Sequence, residues 1–410
     1  MQFLEHQLEN GLQVIAECNP QACCSAAGFF VRAGARDESD SLSGVSHFLE
    51  HMVFKGTERR AAADVNRELD DIGAQSNAFT SEEQTVYYAA MLPEYLSRGI
   101  DLLADIMRPS LREEDFAMEK QVILEEIAKY DDQPPYGGQE RVMALHFGSH
   151  PLARSVLGTC QSVEALSRDQ MARYWQERYS PSNMTLAATG KIDFDALVNQ
   201  VETLCGSWQR ADVDRATPSG GTGGQLEQIH KPEATQQYVL QLANGPAADD
   251  PRRFAARVMA TVVGDETGSR LFWELVDSGK AEIAALDSYE FEGTGIFMNY
   301  LCCSPERARQ NVETIDALLA TLHQDGIRQE ELKQAQNKIC SQVVLGSERT
   351  MNRLFSLGIN WMLRKNYMTV AETVEAYSRV TCQDVASLLE EFPLDRRSLV
   401  TVGPLSTWDE

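Results

Sequence analysis

Apolar and polar positions follow two repeat lengths along this chain, and each repeat predicts a type of element. Residues 26–31 and 85–91 are rich in β-branched and aromatic side chains, which favours strands. In 93–107 apolar side chains recur every three or four positions, which predicts an amphipathic helix with a proline in its first turn. Hairpin-like pairing around 77–91 adds antiparallel neighbours, so the predicted class is α+β. Further helices are predicted over 112–130, 167–178 and 329–345.

The two halves of the chain resemble each other. Three short stretches recur in the same order at nearly the same offset, which indicates a duplicated domain: 100–104 with 315–320, 111–115 with 327–331, and 186–190 with 399–403. A flexible segment rich in glycine, 217–225, lies between the copies. The sequence therefore predicts an N-terminal domain over 1–216, a linker over 217–225 and a homologous C-terminal domain over 226–410.

Charge and cysteine content narrow the class of partner. The 410 residues include 37 Lys and Arg against 61 Asp and Glu, a net charge of −24, which argues against nucleic acid or an anionic membrane surface as partner. No run of 18 apolar residues is present, and the first Lys or Arg is Arg32, so neither a membrane span nor a basic leader is expected. Nine cysteines without a CxxC motif are typical of reduced thiols, and we expect a cytoplasmic protein.

The segment His47-Phe-Leu-Glu50-His51 carries the strongest chemical signal. On a helix, positions i and i+4 share one face, so both imidazoles can converge on one ion. Neutral imidazole suits zinc, and Glu50 lies on the same side, where it can exchange a proton with a zinc-activated water. The alternative is a helix that carries two histidines by chance. The apolar side chains around the motif indicate a buried helix, in which unsatisfied polar groups are costly, and this favours the metal site.

A zinc site of this kind needs a third protein ligand. The helix predicted over 112–130 offers several carboxylates, among them Glu119 and Glu126, which are seven residues apart and lie on one helical face. A solvated acidic face would look the same. Spacing alone does not choose between Glu125 and Glu126.

Several longer stretches resemble the M16 (pitrilysin-type) zinc metallopeptidases, subfamily M16B, which includes the β-subunits of mitochondrial processing peptidase and bacterial processing proteases. The resemblance covers nearly the whole chain and is most specific in the first half. The matching stretches are 32–38, 47–57 (HFLEHMVFKGT), 72–80, 84–88, 122–126, 150–158, 179–184, 268–272 and 293–297.

The resemblance implies a role for individual residues. It places the zinc ligands on His47, His51 and Glu126, and the catalytic glutamate on Glu50. It places a supporting acidic residue behind the metal on Glu119. The family binds an extended peptide as an added strand near a motif that here consists of Asn77, Ala78, Phe79 and Thr80.

These observations lead to one expected function and two alternatives. We expect a zinc-dependent endopeptidase, with one Zn²⁺ per chain, made of two homologous α/β-sandwich-like domains that cleave peptides or unstructured segments in a clamshell chamber. One alternative is a non-catalytic or weakly active subunit of an M16B heterodimer, and the other is a maturation protease dedicated to one precursor. The second copy has Val263 where the offset of the duplication places His47, so it is expected to lack the metal site.

One departure from the family pattern concerns the partner. Self-sufficient members usually carry an arginine and a tyrosine in a motif of the second half, which help to hold substrate. Here the arginine position is Val276, and the tyrosine position is Glu282 or Ile283. The resemblance therefore implies a heterodimer with a metal-free homologue, whereas a homodimer would need substitutes such as Arg270 or Tyr289.

Overall fold

The computed structural model describes residues 1–408, which form two compact units. The first unit comprises 1–129, 154–216 and 346–367, and the second comprises 130–153, 217–345 and the chain from 368 onward. The units change over at residue 217, where the predicted linker begins. Each unit also includes a segment from the other half of the sequence. The compact units are therefore discontinuous in sequence, whereas the predicted domains, 1–216 and 226–410, are continuous.

The elements confirm the α+β class. The strands are β1 Gln2–Gln7, β2 Gln13–Cys18, β3 Ser25–Val31, β4 Gln75–Thr80, β5 Thr85–Met91, β6 Met184–Gly190, β7 Leu226–His230, β8 Gln237–Gly245, β9 Ile283–Phe291, β10 Thr294–Cys303 and β11 Ser398–Gly403. The helices are α1 Val45–Val53, α2 Ala62–Asp71, α3 Leu96–Ile106, α4 Glu113–Asp132, α5 Gly138–Phe147, α6 Cys160–Ala165, α7 Arg168–Arg178, α8 Phe194–Cys205, α9 Arg253–Gly264, α10 Ala308–Asp325, α11 Gln329–Ser347, α12 Thr350–Arg364, α13 Val370–Arg379 and α14 Cys382–Glu391.

The two sheets repeat one topology. The sheet of the first unit runs β1-β2-β6-β3-β5-β4, and that of the second runs β7-β11-β8-β10-β9. In each sheet one pair is parallel, β2 with β6 and β7 with β11, and the other pairs are antiparallel. Without β1, both sheets have the same strand order relative to the sequence, as a duplication requires.

In the first unit, helices cover both faces of the sheet. Residues of α1, α3 and α4 pack on one face, together with the alternate side chains Phe29 and Val31 of β3. The other face packs against α12 through Phe30 of β3 and Leu354 and Leu357 of α12. Since β3 is buried along its whole length, its side chains feed both cores.

A buried ion pair fixes α12 to this sheet. Arg353 donates from Nε and Nη2 to Oε2 of Glu17 on β2, at 2.8 and 2.6 Å. Both residues are buried. Removing one partner would leave a buried charge unpaired, so the pair constrains where α12 sits on the sheet.

The second unit is layered in the same way. α9, α10 and α11 pack on one face of its sheet. The other face packs against α5 through Val142 and Phe147, beside Leu240 of β8 and Val400 of β11. α5 comes from the first half of the sequence and α12 from the second, so the halves exchange one covering helix each.

The predicted elements agree with the structure apart from their ends. The helix predicted over 93–107 begins with a 3₁₀ turn at Pro93–Tyr95 and continues as α3. Pro93 lies in the first turn, the position that suits a proline. The helices predicted over 112–130 and 329–345 are α4 and α11, which each extend two residues further. Ser167, the first residue of the helix predicted over 167–178, is its N-cap. In the described residues, no helix is long and apolar enough to cross a membrane.

Candidate metal centre

The segment 47–51, with its HxxEH pattern, lies within α1. The N-terminus of this helix is fixed by a buried carboxylate. Glu38 accepts hydrogen bonds from the backbone N–H groups of Gly44 and Ser46, both at 2.7 Å. Burial raises the pKa of Glu38 to about 8, although these two donors stabilise the anion. Gly44 has φ +90°, and a Cβ there would lie 2.6 Å from the carbonyl oxygen of Leu157, so only glycine fits. The orientation of α1 is therefore tightly determined.

Three potential metal-ligand atoms meet between α1 and α4. Nε2 of His47 and Nε2 of His51 each lie 3.7 Å from Oε2 of Glu126. The three ligand atoms lie within 4.8 Å of one another, and this is the one such group of three in the part of the chain that the structure describes. The spacing of i and i+4 on α1 places both imidazoles toward α4, as the sequence predicts.

The spacing of these atoms fits a tetrahedral ion. Ligand atoms about 2.0–2.1 Å from a tetrahedral zinc lie roughly 3.3–3.4 Å apart. The 3.7 Å distances are a few tenths of an ångström wider, and they exceed an ordinary hydrogen bond. Two imidazoles and one carboxylate are a donor set that zinc accepts in catalytic sites, with one position left for water.

A chain of polar contacts fixes the tautomer of His51. Nδ1 of His51 lies 2.8 Å from Oε1 of Glu119, and Nζ of Lys55 lies 2.5 Å from Oε2 of the same carboxylate. A carboxylate accepts only, so Nδ1 carries a proton, and in the neutral ring the lone pair is on Nε2, on the side of Glu126. Glu119 is buried, and its contact within the candidate metal site is with His51.

The surroundings shift the pKa values of the two histidines in opposite directions. Burial, and then the neighbouring His51, lower the pKa of His47 to about 4, which keeps its ring neutral and able to bind metal. Burial also acts against the charged form of His51. The hydrogen bond to Glu119 and the charges of Glu126, Glu119 and Glu50 outweigh it and raise its pKa. Because these carboxylates favour the charged form of the ring, a metal ion would compete with a proton for Nε2 of His51.

Glu50 is held by the edge strand. Its Oε2 accepts a 2.6 Å hydrogen bond from Oγ1 of Thr80, the last residue of β4. Burial and the charge of Glu126 raise the pKa of Glu50, while the hydrogen bond from Thr80 and the charge of His51 oppose the rise. A carboxylate with a raised pKa is suited to take up and return a proton.

The four residues predicted to bind a peptide all lie on β4, which is an edge strand of the sheet. Asn77 is exposed, and its Oδ1 accepts a 2.9 Å hydrogen bond from the backbone N–H of Ala78. Ala78 packs on the α1 side of the sheet, while Phe79 packs on the α12 side. The structure thus brings Thr80 to Glu50, a contact that sequence analysis did not anticipate.

The sequence left one alternative open, Glu125, and gave no role to two further residues near the site. Glu125, which spacing left open beside Glu126, is exposed and is not part of the cluster of ligand atoms. Lys55 lies inside the HFLEHMVFKGT stretch and Glu38 inside 32–38, but no role followed from either motif. For Lys55 the sequence position was a usable signal. Lys55 follows His51 by four residues, so it lies on the same side as His51, in the turn after α1.

The residues considered for the missing arginine and tyrosine lie in the second unit. Val276 ends a π-helical turn, Phe272–Val276, and is half-buried, whereas Glu282 and Ile283 are exposed. Arg270 donates from Nε and Nη2 to the two carboxylate oxygens of Glu331, at 3.0 and 2.8 Å. Tyr289 is exposed on the edge strand β9.

Comparison with known proteins identifies the family. Residues 13–160 match the family described as insulinase (peptidase family M16), and residues 165–339 match the one described as the peptidase M16 inactive domain. Together the two matches cover most of the chain. The chain belongs to peptidase family M16, as its sequence motifs predict.

Individual relatives extend the likeness over nearly the full length. The chain is 31% identical to an uncharacterized zinc protease of Mycobacterium leprae, over 98% of this chain and 91% of that protein. It is 30% identical to the uncharacterized zinc protease YmxG of Bacillus subtilis, over 97% of each. Among solved structures, a protease from Helicobacter pylori superposes with a TM-score of 0.92 at 21% identity, covering 98% of this chain and 99% of that one, which supports the fold.

Proposed function

We propose that this protein is a zinc-dependent endopeptidase that cleaves peptides or unstructured segments bound as an extended strand along β4. The convergence of Nε2 of His47, Nε2 of His51 and Oε2 of Glu126, with Glu50 on the same helix, carries this proposal. Family membership and relatives named as zinc proteases support it. The complete ligand set argues against a purely non-catalytic subunit.

The residues of the chain divide the chemistry between them. Bound zinc would polarise the scissile carbonyl and lower the pKa of a water. Glu50 takes the proton of the attacking water and then delivers it to the leaving nitrogen. Since Oε2 of Glu50 is held by Thr80, Oε1 is the oxygen that moves the proton. The exposed backbone of β4 binds the peptide through strand pairing, which accepts many sequences.

The decisive experiment measures cleavage and metal together. The purified protein is stripped with a chelator, divided, and reloaded with zinc, with magnesium or with buffer alone. Each sample is incubated with a mixed peptide library that mass spectrometry follows. We expect one zinc per chain and cleavage only in the zinc sample. Zinc binding without any cleavage would contradict the endopeptidase, and equal cleavage in the chelated sample would contradict the role of the metal.

We further propose that the active form is a heterodimer with a metal-free M16 homologue. The stretch in which self-sufficient members of the family carry an arginine and a tyrosine has Val276 and Glu282 or Ile283 here. Arg270, the basic candidate nearby, is already bound to Glu331. A peptidase gains about a hundredfold or more from one donor to the transition-state oxyanion, so the isolated chain should be a weakly active homodimer.

Sedimentation and specific activity test this second proposal. The isolated chain is measured with and without a metal-free M16 homologue that retains the arginine and tyrosine. We expect turnover to rise about a hundredfold when a mixed dimer forms. High turnover of the isolated chain, with no gain on adding the homologue, would show that the homodimer is complete.

We also expect a cytoplasmic location, which cell fractionation would test.

A further inference from the structure

The edge strand β4 presents two different chemical environments on its two faces. Side chains of a strand alternate between faces. Thr80 and Ala78 lie on the α1 side, where Thr80 contacts Glu50. Phe79 lies on the opposite side, in the cluster of apolar residues that α12 completes. Consecutive residues of any peptide added to this edge therefore face the candidate metal centre and the α12 cluster in turn.

Three aromatic side chains form the end of that cluster nearest the edge. The ring centroid of Phe355, on α12, lies 5.9 Å from that of Phe79 with an interplanar angle of 59°. It lies 4.8 Å from the ring of Tyr88, on β5, at 84°, an edge-to-face contact. All three residues are half-buried, so none of them is fully enclosed by the surrounding chain. We call Phe79, Tyr88 and Phe355 the aromatic wall.

We propose that the aromatic wall is a specificity pocket that selects an aromatic or large aliphatic side chain in the peptide substrate. A residue directly opposite Phe79 on an added strand would bring its Cβ to about 4.5–5.5 Å from the Cβ of Phe79. An apolar side chain there contacts Phe79 and reaches toward Phe355. Because Phe355 comes from α12, it would determine specificity from a part of the chain far from the HxxEH segment.

The position of the wall along β4 locates the selected residue. Thr80 is adjacent to Phe79 in sequence and contacts Glu50, so the peptide residue opposite Thr80 lies beside the candidate catalytic glutamate. Neighbouring residues of a strand are about 3.3 Å apart along its axis. The side chain that meets the aromatic wall therefore belongs to a residue within one or two positions of the cleaved bond.

This inference rests on the proposed function and is tested through selectivity. One peptide series carries alanine, leucine, phenylalanine or aspartate at each position around a single cleaved bond. kcat/KM is measured for the zinc-loaded wild type, Phe355→Ala and Phe355→Leu, with Ile359→Ala as control. Ile359 lies one turn further along α12 in the same cluster, so its truncation reports general loosening of the helix. Unfolding temperature and zinc content are measured for every variant.

We expect the wild type to prefer phenylalanine over alanine at one position near the cleaved bond. Phe355→Ala should reduce that ratio of kcat/KM about threefold to tenfold, since an aromatic pair contributes a factor of this order beyond its buried area. Phe355→Leu, which keeps most of the volume, should reduce the preference for phenylalanine more than the preference for leucine. Ile359→Ala should leave both ratios unchanged.

The outcomes separate this inference from the proposed function. If the zinc-loaded wild type cleaves no peptide, the endopeptidase itself is wrong. Cleavage without an apolar preference at any position near the bond would overturn the aromatic wall alone. So would equal ratios in wild type and both Phe355 variants, or the same loss of ratio in Ile359→Ala. Since Phe355→Leu is the milder substitution, it provides the reading if Phe355→Ala does not fold.

Discussion

The two units share a sheet topology, but they close the equivalent helix junction in different ways. In the first unit, α1 and α4 meet through the ligand group of His47, His51 and Glu126, with Glu119 behind it. In the second, α11 meets the segment after α9 through Lys338, whose Nζ lies 2.5 Å from Oδ2 of Asp265. Lys338 also contacts the backbone carbonyl oxygen of Thr267.

This difference separates the fold from the chemistry. α4 and α11 are each the second helix after the corresponding strands β5 and β10, so the scaffold supports either arrangement. In the second unit one ammonium group neutralises Asp265 and satisfies a carbonyl after the end of α9. In the first, two imidazoles and a carboxylate face one another with their ligand atoms within 4.8 Å, an arrangement that a bound cation can join. We infer that the first unit is organised for a metal and the second for stability.

The largest effect is expected at Glu50. Glu50→Gln keeps the size and one oxygen of the side chain but cannot take up the proton. We expect cleavage to fall about 10³-fold or more with zinc content unchanged, because the ligands are untouched. Peptide turnover and metal analysis on the same sample check this. Cleavage at the wild-type rate would remove Glu50 from the chemistry.

The next prediction distinguishes two adjacent glutamates on α4. Glu126→Gln weakens a proposed metal ligand, and Glu125→Gln is a matched control because Glu125 is exposed and outside the cluster of ligand atoms. Loss of a supporting contact already costs about 10- to 100-fold in metal affinity, so loss of a ligand should cost at least 100-fold. Zinc titration against a competing chelator measures the affinity. Equal affinities in the two variants would refute the assignment.

A smaller effect is expected from the groups behind His51. Glu119→Gln removes the charge that orients His51 through Nδ1 and pairs with Lys55. We expect zinc affinity to fall about 10- to 100-fold, with a smaller fall in Lys55→Met, because Lys55 reaches His51 only through Glu119. The same chelator titration compares the zinc affinity of the wild type, Glu119→Gln and Lys55→Met. A larger loss in Lys55→Met than in Glu119→Gln would contradict this order.

The smallest effect is expected in the second unit. Lys338→Met breaks the pair with Asp265, in which both side chains are partly exposed, and should cost about 1 kcal/mol of unfolding free energy. Zinc content should stay the same, because no metal-ligand group is involved. Chemical denaturation and metal analysis give the two readings. A loss of zinc in this variant would show that the second unit supports the metal site directly.

The sequence predicts most of what is local in this protein. The i, i+4 spacing of His47 and His51 and the seven-residue spacing of Glu119 and Glu126 define two helical faces, and the structure turns both toward one point. The choice between Glu125 and Glu126 depended on family resemblance, because both lie on the same polar helix and only packing decides which one turns inward.

The contacts that spacing could not predict are long-range. Thr80 reaches Glu50 because β4 pairs with β5 at the edge of the sheet, a register set by the whole sheet. The placement of α12 depends on Arg353 and Glu17, which are more than 300 residues apart in sequence. An amphipathic pattern shows that a helix has an apolar face, but it does not identify the sheet that covers it.

The exchange of α5 and α12 has a consequence for biosynthesis. During translation, Ile15, Phe30 and Val86 are synthesised long before α12. The residues of α12 cover the side of the sheet to which these three side chains belong. Until residue 364 has left the ribosome, this apolar surface is uncovered and prone to aggregation. A gene cut at 217–225 would yield an N-terminal fragment that carries every proposed metal ligand but lacks this cover. Restoring that fragment would require supplying 346–367 as a separate peptide.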